Sequence, residues 1–189
     1  MQSKLLTGYL NGTSIIYCFT MNFKIKKEDY LDKKIFDRLY DEAYSKISFN
    51  RKKDLNLKQE LWTNTKTKTL CVYYLDDYIV GIGTYIIRNN IMYFITPTWG
   101  KTKEGSHSWW YTEEYQEALS KFMKELGVTT IIAGHNIDSP AAKAITKHFG
   151  YYGKHLSKAT LHNPSDVMPI DLLKLYPEPM KAFKVEVKA

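Results

Sequence analysis

Apolar and polar positions alternate over residues 22–27 (Asn-Phe-Lys-Ile-Lys-Lys), which predicts a short strand. The acidic pair Glu28-Asp29 follows at once and opens a predicted helix, since negative charge suits the helix dipole there. From Tyr30 to about Ser48 the apolar residues recur at helical spacing, with Leu31, Ile35, Phe36, Leu39, Tyr40 and Tyr44 forming an aromatic-rich stripe read as core. Arg51, Lys52 and Lys53 read as a solvated connection, and residues 55–62 as a short amphipathic helix.

Three β-rich segments follow, at 69–75, 78–87 and 91–96. They are separated by Asp76-Asp77 and by Asn89-Asn90, the latter suited to a two-residue hairpin because Asn tolerates positive φ. An antiparallel meander is expected. Gly81 and Gly83 share one face of its middle strand, where they admit the close approach of another element or a ligand, or the close packing of a helix.

Residues 106–126 carry Trp110, Tyr111, Tyr115, Leu119, Phe122 and Met123 at helical spacing, with Gly127 placed to end the helix. Residues 128–133 read as a buried strand. A strand, helix, strand order implies a right-handed crossover, so this strand should run parallel to the one at 91–96 in a mixed sheet. Ser139-Pro140 pairs an N-cap with a proline at the first helical position and predicts a helix to Phe149, stopped by Gly150. Residues 151–162 suit a strand, and a run from Ala182 to Val187 alternates as a last one. Between them, about residues 163–180 hold four prolines, a candidate flap over a pocket. Residues 1–20 form an N-terminal extension, either an added strand or a start-site extension, ahead of a single domain over 21–189.

Composition narrows the partners more than the fold. The net charge of +7 suits a phosphate-bearing cofactor, a nucleic acid or an acidic protein, and equally plain solubility. Only Arg38, Arg51 and Arg88 among the 27 basic residues are arginine, which argues against bidentate reading of guanine and hence against sequence-specific DNA recognition. A lysine-rich surface still leaves nucleic-acid binding open, with Trp109 and Trp110 as stacking candidates against a reading of Trp110 as core and Trp109 as partly exposed. No apolar run is long enough to cross a bilayer, so no membrane role and a cytoplasmic location are expected. Cys18 and Cys71 lie far apart and are read as reduced and buried. The five histidines show no zinc-ligand spacing, so no metal is expected.

The order strand, helix, helix, three-strand meander, helix, strand, helix, two strands resembles the GNAT acyl-CoA N-acyltransferase superfamily over about residues 22–189. Lys24-Ile25-Lys26-Lys27-Glu28-Asp29-Tyr30 looks like its first strand and helix start, Ile79-Val80-Gly81-Ile82-Gly83-Thr84-Tyr85 its third strand, and Ile95-Thr96-Pro97-Thr98 the end of its fourth. Ser139-Pro140-Ala141-Ala142 with Gly150-Tyr151 resembles the motif around its last helix. The resemblance implies a mixed, largely antiparallel α/β sheet of about six or seven strands flanked by about four helices.

It also implies acetyl-CoA as co-substrate, lying along Ile95, Thr96 and Thr98, with its pyrophosphate at a loop and helix start holding Lys101, Lys103, Gly105, Ser106 and His107. Asn136 and Ser139 are further cofactor contacts. The family's phosphate loop carries Arg or Gln, then Gly, then Gly or Ala, where this sequence reads Thr102, Gly105 and His107. The tyrosine that often protonates the departing thiolate falls at Thr146, which leaves Tyr151 or Tyr152 for that role. Residues 91–98 contain no acid, so Glu104 and His135 are the candidates for taking a proton from the attacking amine of a small molecule or protein. GNAT-like domains of similar shape also resemble phage virion proteins and phage DNA-modifying acyltransferases. The alternative is therefore an inactive virion component or DNA-directed factor, located in a host cytoplasm or a virion.

Overall fold

A computed structural model describes residues 4–10, 13–19, 22–44, 51–136, 140–150, 154–174 and 180–189. Strands β1 (Lys4–Leu10) and β2 (Thr13–Phe19) pair antiparallel as a hairpin in a sheet of their own. The remaining strands are β3 (Phe23–Glu28), β4 (Thr69–Leu75), β5 (Tyr78–Arg88), β6 (Ile91–Trp99), β7 (Thr130–Asn136), β8 (Thr160–His162) and β9 (Met180–Glu186). They form one seven-stranded sheet in the order β3-β4-β5-β6-β7-β9-β8, antiparallel throughout except for the parallel pair β6 and β7. This is the mixed, mainly antiparallel α/β class expected from the sequence.

Alternation along the strands divides the core in two. Leu70, Val72 and Ile82 face helices α1 (Lys33–Tyr44) and α2 (Arg51–Thr67), meeting Phe36, Leu39, Tyr40 and Leu61. Cys71, Tyr73 and Tyr85 face the other way, toward α3 (Glu113–Glu125) and α4 (Pro140–His148), meeting Tyr115, Leu119, Phe122 and Ile145. The Asn89-Asn90 hairpin forms as expected, with φ of 50° and 61° at the two residues. Gly81 and Gly83 make room for core side chains. A Cβ at Gly81 would stand 2.7 Å from the Tyr73 ring and 3.0 Å from Trp109, and one at Gly83 would stand 2.7 Å from both Phe94 and the Tyr73 hydroxyl.

Several expectations need correction. Glu28 ends β3, and α1 opens later, at Asp32, whose carboxylate accepts the Lys34 N–H at 2.7 Å and whose carbonyl accepts the Phe36 N–H at 3.0 Å. Tyr30, placed before that start, is exposed. The backbone of residues 51–53 belongs to α2, a 17-residue helix rather than a short one after a loop. The helix expected from Ser106 begins only at Glu113, because Ser108–Tyr111 form a 3-10 turn and Thr112 caps the α-helix itself. Of the strand expected at 151–162 only β8 and a bridge from Leu156 to Val187 are described.

The proline-rich insertion contributes two single-turn helices, α5 (Pro164–Val167) and α6 (Ile170–Leu173). Met168 and Leu172 pack on Tyr93, Ile132 and Ala182, so this segment covers sheet rather than a pocket. Cys71 is buried, and the Cys18 side chain lies outside the described residues. No helix among the described residues is long and apolar enough to cross a membrane.

Candidate active site

The parallel pairing of β6 and β7 runs from Ile91 opposite Thr130 to Phe94 opposite Ala133 and then stops. Beyond that point β6 follows β5 as far as Trp99, and β7 follows β9 as far as Asn136. The sheet therefore forks. At the same place the register between β5 and β6 slips: Thr84 pairs with Thr96 and Tyr85 with Phe94, so Ile95 has no partner on β5. Such a bulge turns one backbone amide out of the ladder.

An apolar cavity of about 40 Å³ lies at the fork, on the α3 and α4 side, walled by Phe94, Trp99, Tyr115, Ala133, His135 and Phe149 among others. That volume admits a few heavy atoms. Trp99 of its wall stacks on Trp110 with centroids 4.1 Å apart, and Trp110 in turn lies 5.9 Å from Phe149. The buried Trp99 indole N–H has no hydrogen-bond partner among the described residues. His135 is held between Trp99 at 6.3 Å and Phe183 at 5.5 Å, and burial pushes its imidazole down to about 4, so it is neutral at pH 7. In the cavity wall, burial drives Tyr73 and Tyr115 well above the ordinary tyrosine range, and it pushes the neighbouring Cys71 up to about 12. These groups form hydrogen bonds at neutral pH and do not ionise.

Five amides of the segment 100–107 after β6 are bonded within the protein. Gly100 N–H donates to Val80 O at 2.8 Å and Lys101 N–H to Glu42 Oε2 at 2.6 Å. Thr102 N–H donates to Ser106 O at 2.8 Å, Gly105 N–H to Thr102 O at 2.9 Å, and Ser106 N–H to Thr102 Oγ1 at 3.1 Å. Glu42 also pairs with Arg38 at 3.2 Å, and Arg38 donates to the Tyr78 hydroxyl at 2.8 Å and to Ile79 O at 2.6 Å. The Lys103 ammonium sits 5.6 Å from the Tyr78 ring centroid. This loop is thus tied to α1 and the start of β5.

The start of α3 is capped at one amide. Thr112 Oγ1 accepts the Tyr115 N–H at 3.3 Å, and Glu113 and Glu114 fill the first turn, with Glu113 paired to Lys154 at 2.9 Å. Buried Gln116 braces the far side: its Nε2 donates to His148 O at 3.2 Å and its Oε1 accepts the Gly150 N–H at 3.2 Å, which ties α3 to the end of α4.

Of the residues singled out in the sequence, the structure brings His135 and the Ile95 bulge to the fork. Thr98 is buried on β6, while the backbones of Thr96 and Asn136 belong to β6 and β7 and their side chains lie outside the described residues. Lys101, Lys103, Glu104, Gly105, Ser106 and His107 form the loop beyond β6 and line none of the cavity, and Glu104 is exposed at the loop's turn. Ser139, Tyr151 and Tyr152 lie outside the described residues. Thr146 is exposed on α4, its hydroxyl donating back to Ala142 O at 2.9 Å. Trp109 and Trp110 are both buried, so neither presents a face for stacking on bases: Trp109 packs on Phe23, Tyr73 and Tyr115 and donates to Gly100 O at 2.9 Å. Sequence reasoning missed Trp99, Glu42 and Gln116. Among the described residues no group of three His, Cys, Asp or Glu side chains is arranged to hold a metal.

No protein-family model matches the chain, and no curated protein matches its sequence. Solved structures do match. An acetyltransferase of the GNAT family from Staphylococcus aureus Mu50 is 15% identical, with a TM-score of 0.50 over 86% of this chain and 98% of its own. N-acetylglutamate synthase from Neisseria gonorrhoeae, complexed with coenzyme A and N-acetyl-glutamate, is 9% identical, with a TM-score of 0.50 over 87% of this chain and 35% of its own. An acetyltransferase from Bacillus subtilis in complex with CoA is 13% identical over 88% of this chain and 99% of its own, with a TM-score of 0.48. With the sheet order, the forked parallel pair and the two matches at a TM-score of 0.50 together, the chain has the GNAT acetyltransferase fold.

Proposed function

We propose that the protein is an acyl-CoA-dependent N-acyltransferase that moves an acyl group, acetyl in the simplest case, to an amine by direct attack. The observation that carries this reading is the coincidence of the β6 and β7 fork with the unpaired bulge at Ile95. A bulge amide beside an apolar cleft is a fixed donor for a carbonyl oxygen that gains charge. Bound there, an acyl thioester supplies a carbonyl carbon to which the amine nitrogen bonds as the C–S bond breaks, the surplus proton of the nitrogen ending on the thiol.

The fit is good at one end only. The fork offers apolar walls, the Ile95 backbone and the Trp99 N–H to a thioester arm. In segment 100–107 the amides of Gly100, Lys101, Thr102, Gly105 and Ser106 are already bonded, and α3 opens on two carboxylates, Glu113 and Glu114. His135, neutral and at the fork, is available to take a proton from the adduct nitrogen, whose acidity rises sharply once the C–N bond forms. Glu104 remains a second acceptor for that proton, and Tyr151 or Tyr152 the donor to the leaving thiolate. The amine acceptor is a small molecule or a protein.

A second reading, a non-catalytic GNAT-shaped protein that meets a virion or nucleic-acid partner through its lysines, is favoured by the small size of the cavity at the fork, about 40 Å³. Thermal unfolding with and without millimolar acetyl-CoA tests the choice, because a ligand of the folded state raises the midpoint. A rise followed by turnover in an amine screen supports the enzyme. An unchanged midpoint in a folded sample sinks it in favour of the second reading.

A further inference from the structure

We infer that the protein has a second ligand site, away from the fork, that takes a small phosphomonoester with an apolar substituent and holds it through Lys27, Lys68 and the Tyr85 hydroxyl. The site is an open cleft of about 460 Å³. Its walls include Lys27 on β3, Lys68 and Thr69 where α2 passes into β4, Tyr85 and Ile87 on β5, and Leu126 at the end of α3. Small-molecule pockets commonly measure about 300–1,000 Å³, so the cleft is large enough for such a ligand. It shares no wall residue with the cavity at the fork.

Charge selects the ligand. Two ammonium groups and no carboxylate line the cleft, and neither lysine has an ion-pair partner among the described residues. A phosphomonoester brings a charge of about −1.5 to −2 near pH 7 and three acceptor oxygens, which matches both lysines where a monocarboxylate leaves one unmatched. Bare carbonyls at the end of α3 would repel an anion. Those of Phe122, Met123 and Lys124 are already taken by the N–H groups of Leu126, Gly127 and Val128.

Tyr85 supplies an observation independent of the lysines. It is 2% exposed, and its hydroxyl is buried with no hydrogen-bond partner among the described residues. Leaving such a group unpaired costs free energy that a ligand oxygen recovers. Burial pushes the hydroxyl up to about 12, so it keeps its proton at neutral pH and can donate. Exposed Ile87 and half-buried Leu126 give the substituent apolar surface to cover.

The test is a proton–nitrogen correlation NMR titration of the full chain with phenyl phosphate, with inorganic phosphate and phenol as the two halves of that probe. Saturable shifts should centre on Lys68, Thr69, Tyr85, Ile87 and Leu126, and each half should bind about tenfold or more weakly than the whole. Lys27→Gln with Lys68→Gln should weaken phenyl phosphate by about tenfold or more, and Tyr85→Phe by about threefold or more. Lys158→Gln with Lys188→Gln removes the same charge from exposed positions outside the cleft and should change binding by less than about twofold. The absence of a saturable shift, shifts centred on residues 100–107, or equal binding by phenol overturns the inference. So does wild-type affinity in the folded lysine pair or in folded Tyr85→Phe. None of these outcomes bears on the N-acyltransferase reading, which coenzyme A tests.

Discussion

Trp99 at the end of β6 and Trp110 on the turn before α3 stack with centroids 4.1 Å apart, beside the fork of β6 and β7. A thioester arm entering past Trp99 meets this stack. Trp110→Ala should therefore cost about 3 kcal/mol of stability, as large buried truncations do, while tightening the binding of coenzyme A. Denaturant unfolding and a titration on the same variant read the two effects, and weaker binding would show that the stack supports the ligand rather than blocks it.

Gly83 tests the packing behind the cavity. A methyl group there meets Phe94 and the Tyr73 hydroxyl at 2.7 Å, so Gly83→Ala should destabilise by about 1–3 kcal/mol through overpacking. Gly105→Ala has open space around it but a φ of +82°, and should cost only about 1 kcal/mol. A thermal midpoint series that ranks them the other way would contradict this account of the core.

His135 gives the protein a pH dependence whose sign is fixed. Its folded pKa, about 4, lies below the ordinary value of 6.5, so the unfolded chain takes the proton more readily. Stability from this group is complete above 6.5 and is lost as the pH falls from there toward about 4. The residue is half-buried, so solvent trims the effect to about 1–2 kcal/mol. Urea unfolding across that window should show a smaller decline in His135→Gln than in wild type, and parallel declines would remove the histidine from the explanation.

Gln116→Leu should cost about 2–3 kcal/mol, because it strands the Gly150 amide and the His148 carbonyl inside the protein. Thr112→Ala, which removes only a helix cap, should cost about 1 kcal/mol. Chemical denaturation of the two variants side by side checks the order.

Much of this architecture is written in local chemistry. The Asn89-Asn90 turn, the Gly127 and Gly150 stops and the β-rich runs of β4 and β5 each depend on neighbours in sequence, and each appears where the residues place it. The start of α3 is different: Trp110 and Tyr111 fit a helical period, yet Trp109 and Trp110 turn into the core and postpone the helix until Thr112. Thr112 followed by Glu113-Glu114 was the available signal, a cap ahead of two acids. The bulge at Ile95 has no compositional mark, since it arises from a register slip between two strands. The role of Glu42 likewise exists only once α1 lies beside the end of β6. Gln116 shows the same limit, as its two partners lie more than thirty residues away.

Strand β9 is the last of the strands along the chain but an interior one in the sheet, between β7 and β8. It supplies Phe183 and Val185 to the cavity wall and is, among the described residues, the strand to which β8 is hydrogen-bonded. A nascent chain emerging from its amino end can build the meander and its helices early, but the fork has one side missing until residues 180–186 are free to insert. Any binding at the fork is thereby deferred until synthesis has passed that strand, and an earlier stall leaves a protein with most of its fold and no pocket.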